Sequence, residues 1–500
     1  MDKAEVLRSI SFGGRTAEEE AGNLRRIFVE TEHWQSVNQG NVDIVYGSKG
    51  SGKSAIYSLL QEQRPVHLTV SRVVIPAENP RGATAFKELE IDPPATEKEF
   101  IQLWKVYFLS LIADVFPRYN IRNEYSYRVA QTLKDAALFS PESTLSDKLK
   151  AAAHYVKNIV RSVDFGVEVD PATGVSRVSL KPVVPPEARP KPLDLTPEAL
   201  FDIADQAFRR SAFELWICID RLDVAFEDNV PLETNALRAL FRVYLDLLPS
   251  QRIRLKIFLR SDIWRRITEE GFREASHITR SITLVWSSAQ LLNLVMKRLL
   301  QSEKVLFAYG VERPSVLADI DRQRALFYRV FPRQVDIGPK RPTAWDWILT
   351  RTRDGTGLNA PRELIHLLSV ARALQMQHLD IGANSPQGEN LFSGAVIREA
   401  LKEVSKVRLE QTIYAEHPRL RASISRIEGE KATQTLSTLG QLWGTDATAT
   451  ARMADELVRV GIFEPPGPRQ TTEYRVPFLY RDALRLVQGK AEIQASQVSR

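Results

Sequence analysis

The sequence predicts an α/β protein in which a parallel sheet is followed by a helical region and a small C-terminal module of helices and a hairpin. Three stretches predict it. Val42 to Leu60 reads as strand, glycine loop and helix. Leu215 to Ile219 is an unbroken apolar run, as a strand buried on both faces should be, and it ends in Asp220-Arg221-Leu222-Asp223. Asp446 to Val476 reads as helix, Pro/Gly-rich turn and returning strand, the outline of a winged helix.

The first stretch carries the chemistry. Gly47, Ser48, Lys49, Gly50, Ser51, Gly52, Lys53 and Ser54 fit G-x-x-x-x-G-K-[ST], and Ala55 opens the apolar-periodic run with Ile56, Leu59 and Leu60. Glycines let the backbone curl so that its N–H groups point inward at phosphate oxygens. The helix that follows aims its positive end at the same place. Lys53 is expected to reach the β- and γ-phosphates, and the Ser54 hydroxyl to ligate Mg²⁺. A glycine turn that matches by chance is the alternative; the strand before it and the helix after it argue against that.

The second stretch supplies the metal's acidic partner. A carboxylate at the carboxyl end of a buried parallel strand lies where open α/β sheets bind ligands, so Asp220 is the expected Mg²⁺ holder beside Ser54. Asp223 is a candidate for contact with the attacking water or metal, or else caps the next helix. Arg254 to Leu259 reads as a further strand ending in Arg260-Ser261-Asp262. Arg260 there is a candidate γ-phosphate sensor, with Ser261 as the alternative, or else a surface arginine capping the helix that follows. The catalytic candidates are thus Lys53, Asp220, Asp223 and Arg260.

The remaining elements follow in order. Thr16 begins a helix with Leu24, Ile27 and Phe28 on one face. Val66 to Ile75 reads as the second strand. Thr96 with Glu99 caps a long apolar helix. Residues 120–195 read as an exposed insertion containing two helices, a hairpin near Phe165 to Leu180 and a Pro-rich linker. Thr196-Pro197 opens a helix. Ile282 to Trp286 reads as the fifth strand, and Ser288 to Leu300 as a helix. In Gly357 to Ile365, Asn359 is a possible cap and Pro361 suits the first helical turn. Arg362 then stands near the positive helix end, either facing an anionic partner such as phosphate or as a solvated arginine on an ordinary helix. The expected blocks are an N-terminal arm (1–36), the ATPase core (37–290, with the insertion), a helical lid (291–375), a helical linker region (376–430) and the winged helix (431–490).

Bulk properties bound the rest. Five hundred residues exceed one core, and 43% apolar with 26% charged is ordinary for a globular chain. No run of eighteen apolar residues is present, so no membrane partner is expected. Met1 to Ile10 lacks an apolar signal core, and the single cysteine, Cys218, excludes a disulfide framework or cysteine-based zinc site. A cytoplasmic location is expected. A net charge of +6 permits nucleic-acid contact without demanding it. The second helix of the winged module carries only Arg452 and Arg459 beside Asp455 and Glu456. That favours docking of a protein partner or effector over DNA reading, with DNA as the alternative. No guanine-reading N-K-x-D motif occurs, which favours adenine or loose base choice, with ATP the expected nucleotide.

Taken together, Phe12-Gly13 with Ala17-Glu18, the Gly47–Ser54 loop, Asp220 to Asp223, Phe258 to Asp262, Trp286 with Arg298, and Pro361-Arg362 resemble a family of bacterial P-loop ATPases close to the STAND and AAA+ groups. The resemblance spans nearly the whole chain outside residues 120–195. It implies a P-loop NTPase core with a parallel sheet, a helical lid domain and a C-terminal winged helix, arranged by ATP and Mg²⁺. It also implies a sensor-like phosphate contact for Arg362. It further implies an effector partner, a homo-oligomer and a place in antiphage defence. A neighbour's arginine would complete the site, with Arg280 as the candidate. Val224 stands where relatives often carry Glu after the Asp-Arg-Leu-Asp run, so slow turnover is expected.

Overall fold

The computed structural model describes residues 2–14, 16, 19–20, 22–78, 86, 94, 96–140, 143–162, 166–169, 176–179, 192–222, 229–383, 385–466 and 473–491. It forms two compact units. One holds Glu32–Tyr46 and Ile56–Thr283; the other holds Met1–Thr31, Gly47–Ala55 and Leu284–Arg500.

The first unit is built on the sheet. Its strands are β1 (Ile44–Gly47), β2 (Arg72–Pro76), β5 (Glu214–Ile219), β6 (Ile253–Arg260) and β7 (Ser281–Thr283), in the order β2-β5-β6-β1-β7. β2 pairs parallel with β5, β5 with β6, and β1 with β7. The α/β class expected from the sequence holds. A separate antiparallel hairpin, β3 (Gly166–Val169) and β4 (Ser176–Ser179), lies where the alternation placed it. β5 is apolar because both its faces are covered: Leu215 to Ile219 are fully buried.

Several expectations change here. Arg64–Thr69 is a short helix, and β2 begins only at Arg72. The β-branched residues that suggested strand, Val66 and Val70, face solvent, and Pro65 favours a helical first turn. The helices Glu124–Asp135 and Leu145–Ser162, expected in an exposed insertion, place Val129, Leu133, Leu149, Ala152, Tyr155 and Val156 in the same apolar core as the sheet. β7 stops three residues short of Trp286. Among the described residues one helix, Glu97–Arg118, is long and apolar enough to cross a membrane, but most of it is buried inside this core. It is apolar all round because it is a central core helix.

The second unit has a core of its own. It joins Val6, Leu7 and Phe12 of the opening segment to the helices Ser288–Leu299 and Pro361–Asp380, and on to Leu439, Leu457 and Tyr480 near the C-terminus. The opening segment packs among the helices of its own unit, and its helix at Leu24–Ile27 is a single turn. Buried Arg298 fastens it, donating to the Phe12 carbonyl at 2.8 Å and to Glu20 at 2.9 Å. Toward the C-terminus, β8 (Lys431–Thr435) is followed by helix Leu436–Trp443, a turn through left-handed Gly444, and helix Ala447–Arg459 capped by Asp446. Glu464 bridges Arg475, and β9 (Glu473–Arg475) runs antiparallel to β8. This is a winged helix, with β10 (Val487–Lys490) added parallel to β8.

Candidate functional site

The glycine loop leaves the carboxyl end of β1 and enters the helix Lys53–Glu62. Gly50 and Gly52 have φ of +84° and +100°, the left-handed region that L side chains avoid, so this curl requires glycine at both positions. A Cβ on Gly47 would lie 2.3 Å from the Ser51 hydroxyl, so a side chain there would have to displace Ser51. Lys53 is buried inside the curl and donates to the carbonyls of Gly47 at 2.8 Å and Ser48 at 3.1 Å. The Ser51 hydroxyl is buried without a hydrogen-bond partner among the described residues. A cradle closed to side chains, an ammonium held within it and an unsatisfied buried hydroxyl fit a phosphate group.

Three side chains of the same unit close on this loop. Arg362, in the first turn of helix Pro361–Asp380, runs along Gly50: a Cβ there would be 2.8 Å from Arg362 Cβ and 3.5 Å from its Nε. The Trp286 indole donates to the Ser51 carbonyl at 2.7 Å, and its ring lies 3.7 Å from where a Gly52 Cβ would stand. Lys49 forms an ion pair with Glu416. Arg362 was legible as a cation near a helix N-terminus. Glu416 was not, because its meaning depends on which distant segment the loop meets. Asn359, expected as the cap, instead donates to the Leu349 carbonyl at 2.6 Å. Ala360 occupies the cap position without a side-chain bond, and Pro361 takes the first turn as expected.

In the sheet unit, Asp220 is buried just beyond the end of β5, and Arg221 after it has φ of +61°. A left-handed non-glycine residue at a strand end marks a backbone held against its preference. Asp223 lies outside the described residues. Arg260, at the end of β6, forks onto Asp262 with bonds of 3.0 and 2.7 Å. The Arg280 Nε donates to Asp43 at 2.5 Å, which anchors β1 to the strand beside it.

The sheet register also exposes a residue that sequence reasoning missed. Pro76 pairs with Cys218, and the Ala77 N–H donates to the Cys218 carbonyl at 2.8 Å. Continuing that register sets Glu78 beside Asp220. Glu78 is 1% exposed. The Tyr57 hydroxyl donates to the Glu78 carbonyl at 3.3 Å. Burial, then the charges of Cys218, Asp220 and Glu78, push its pKa above the ordinary phenol value, so Tyr57 stays neutral beside the two carboxylates. Only the pairing of β2 with β5 could reveal this, since Glu78 belongs to no motif.

No protein-family model matches the sequence and no curated protein matches it. Solved structures align over most of the chain at low similarity. The ORC1 protein of Aeropyrum pernix in complex with DNA is 14% identical, with 93% of this chain and 91% of that one covered and a TM-score of 0.32. A Walker-type ATPase of Pyrococcus abyssi is 9% identical over 93% and 95%, with a TM-score of 0.38. The ORC2 protein of Aeropyrum pernix in ADPNP–ADP complexes is 11% identical over 95% and 94%, with a TM-score of 0.34.

Proposed function

We propose that this chain binds ATP with Mg²⁺ on the Gly47–Ser54 loop and hydrolyses it slowly, as a switch whose output is the helical unit with its winged helix. The observation that carries this reading is the loop itself: two left-handed glycines, Lys53 drawn inside the curl and a buried, unsatisfied Ser51 hydroxyl. In this reading the loop N–H groups and Lys53 hold the β- and γ-phosphates. Ser54 and Asp220 would hold Mg²⁺, whose chemistry there would be to neutralise phosphate charge. Arg362 contacts phosphate from the side of Gly50, and Arg260 is released from Asp262 to do so from the end of β6. Glu78 is the carboxylate that orients the attacking water. Arg221 occupies the place directly after Asp220, where a glutamate would favour rapid turnover.

The partner is a protein. The winged helix's second helix exposes Arg452 and Arg459, but Asp455 is exposed within one turn of Arg452 and Glu456 is tied to Arg419, so the helix surface is of mixed sign. A DNA-reading helix gains affinity from an excess of cations.

The test is phosphate release from Mg-ATP by the full chain, beside Lys53→Ala and Asp220→Ala, with and without duplex DNA. Slow release that both substitutions abolish and DNA leaves unchanged supports the switch. Release stimulated by DNA replaces the protein partner with DNA. Tight ATP binding retained by Lys53→Ala overturns the assignment.

A further inference from the structure

The helix that carries Arg362 is held at its first turn by a buried ionic cluster. Arg408, at the end of helix Gly394–Arg408, donates to Glu363 at 2.8 Å, to Asp354 at 3.4 Å and to the Tyr480 hydroxyl at 3.4 Å. Glu363 is the residue after Arg362. Asp354 lies in the loop before the Pro361 helix. Tyr480 belongs to the short helix Phe478–Arg481, between β9 and β10 of the winged module. Arg408 and Glu363 are 8% and 5% exposed along their side chains, so neither charge is satisfied by water. Burial opposes the Arg408 charge, but Glu363, Tyr480 and Asp354 more than offset it and hold the guanidinium above its ordinary pKa.

The same loop meets the winged helix by backbone. The Gly355 N–H donates to the Gly461 carbonyl at 2.7 Å, and a Cβ on Gly355 would sit 2.2 Å from the Phe463 carbonyl. Gly461 and Phe463 directly follow the helix Ala447–Arg459. The Ala483 N–H donates to Ser405 at 3.0 Å, and Arg351 stacks on Phe478 at 4.5 Å. A merely apolar contact would allow sliding. A buried arginine with two carboxylate partners does not, because displacing any member leaves an uncompensated buried charge.

We infer that Arg408 is a positioning residue: through Glu363 it sets where Arg362 stands against Gly50, and through Asp354 and Tyr480 it makes that turn move with the winged helix. Nucleotide contact at Arg362 is thereby carried into the C-terminal module as one displacement. This inference rests on the nucleotide reading of the glycine loop.

The experiment measures the ratio of ATP to ADP affinity by calorimetry in the full-length wild type, Lys53→Ala, Arg362→Ala, Glu363→Gln and the Arg362→Ala/Glu363→Gln double variant. Glu363→Gln keeps the side chain's shape and removes the charge. It is expected to move the ratio at least threefold toward that of Arg362→Ala, with no further change in the double variant. A purely structural role would lower the melting temperature and leave the ratio alone. If Glu363→Gln depletes the folded protein, Asp354→Asn carries the same test across the longer bond. An unchanged ratio in the folded variant, or effects that add in the double variant, overturns the inference while loss of binding in Lys53→Ala leaves the nucleotide reading standing. Undiminished binding by Lys53→Ala overturns both.

Discussion

Gly50→Ala tests the loop most directly. Gly50 sits at φ +84°, and a methyl there meets Arg362 Cβ at 2.8 Å, closer than real Cβ atoms approach. Left-handed backbone costs an L residue about 1–2 kcal/mol. The free loop can relax and forfeit that amount on binding, which is about a five- to thirtyfold loss of ATP affinity. If it cannot relax, the same energy appears as lowered stability, so calorimetric affinity and the melting temperature are measured together. Two further glycines separate strain from contact. Gly22 has φ +92° with nothing within 4 Å of its Cβ direction, so Gly22→Ala adds strain alone, outside the loop sequence. Gly52 has φ +100° with only the Trp286 ring at 3.7 Å, so Gly52→Ala strains the loop without touching Arg362. Both loop variants should weaken ATP, Gly22→Ala should not, and only Gly50→Ala should change the preference for ATP over ADP. Gly50→Ala with wild-type ATP affinity and wild-type melting would refute the reasoning.

Glu78→Gln should retain ATP binding within about threefold while phosphate release falls at least a hundredfold, on the order of what general-base catalysis contributes; release at the wild-type rate would remove Glu78 from the mechanism. The buried His67 imidazole, packed at Trp216, is pushed down to about 4 by burial and by Arg72. Its folded pKa lies below its unfolded value near 6.5, so the unfolded chain takes up the proton first. Stability from this group is therefore complete above pH ~6.5 and declines as pH falls toward ~4, by up to about 3 kcal/mol. Urea unfolding of His67→Phe should show a flatter acid limb across that window, and an unchanged limb would contradict the assignment. Arg280→Ala should lower the melting temperature by loosening Asp43 and leave phosphate release per folded molecule unchanged; loss of release from fully folded protein would return Arg280 to the active site.

What could be read from the sequence is what its residues decide locally. The curl at Gly47–Gly52 needs glycine for backbone reasons, and the apolar run into Asp220 needs a strand covered on both faces, so both were legible. Asp446 and Thr196 announced their helices because a cap acts within three residues. The misreadings have the opposite character. Val66 and Val70 carry strand propensity, but their exposure on a proline-started helix shows propensity yielding to context. Asn359 has a capping side chain, yet Leu349 and Thr352 offer it acceptors that no local pattern contains. Glu78 gains its significance only from the register of β2 on β5, and Glu416 only from meeting Lys49.

The buried charges show why these long-range residues matter. Arg408 with Glu363, Arg298 with Glu20, and Lys256 with Asp43 are each almost withdrawn from water. As sources of stability such pairs rank below apolar packing, because desolvation offsets most of their attraction. What they supply is direction, since an ion pair tolerates far less sliding than a leucine contact. Each lies where an element adjoining the glycine loop must be aimed. Lys256 donates to Asp43 at 2.8 Å immediately before β1, which runs into the loop. Arg298 fastens Phe12 and Glu20 to the helix that follows Trp286. Arg408 sets the turn that bears Arg362. A chain selected only to be stable would gain by replacing them with packed apolar side chains. A chain that must return the same few groups to one loop at each turn of the proposed nucleotide switch gains by keeping them.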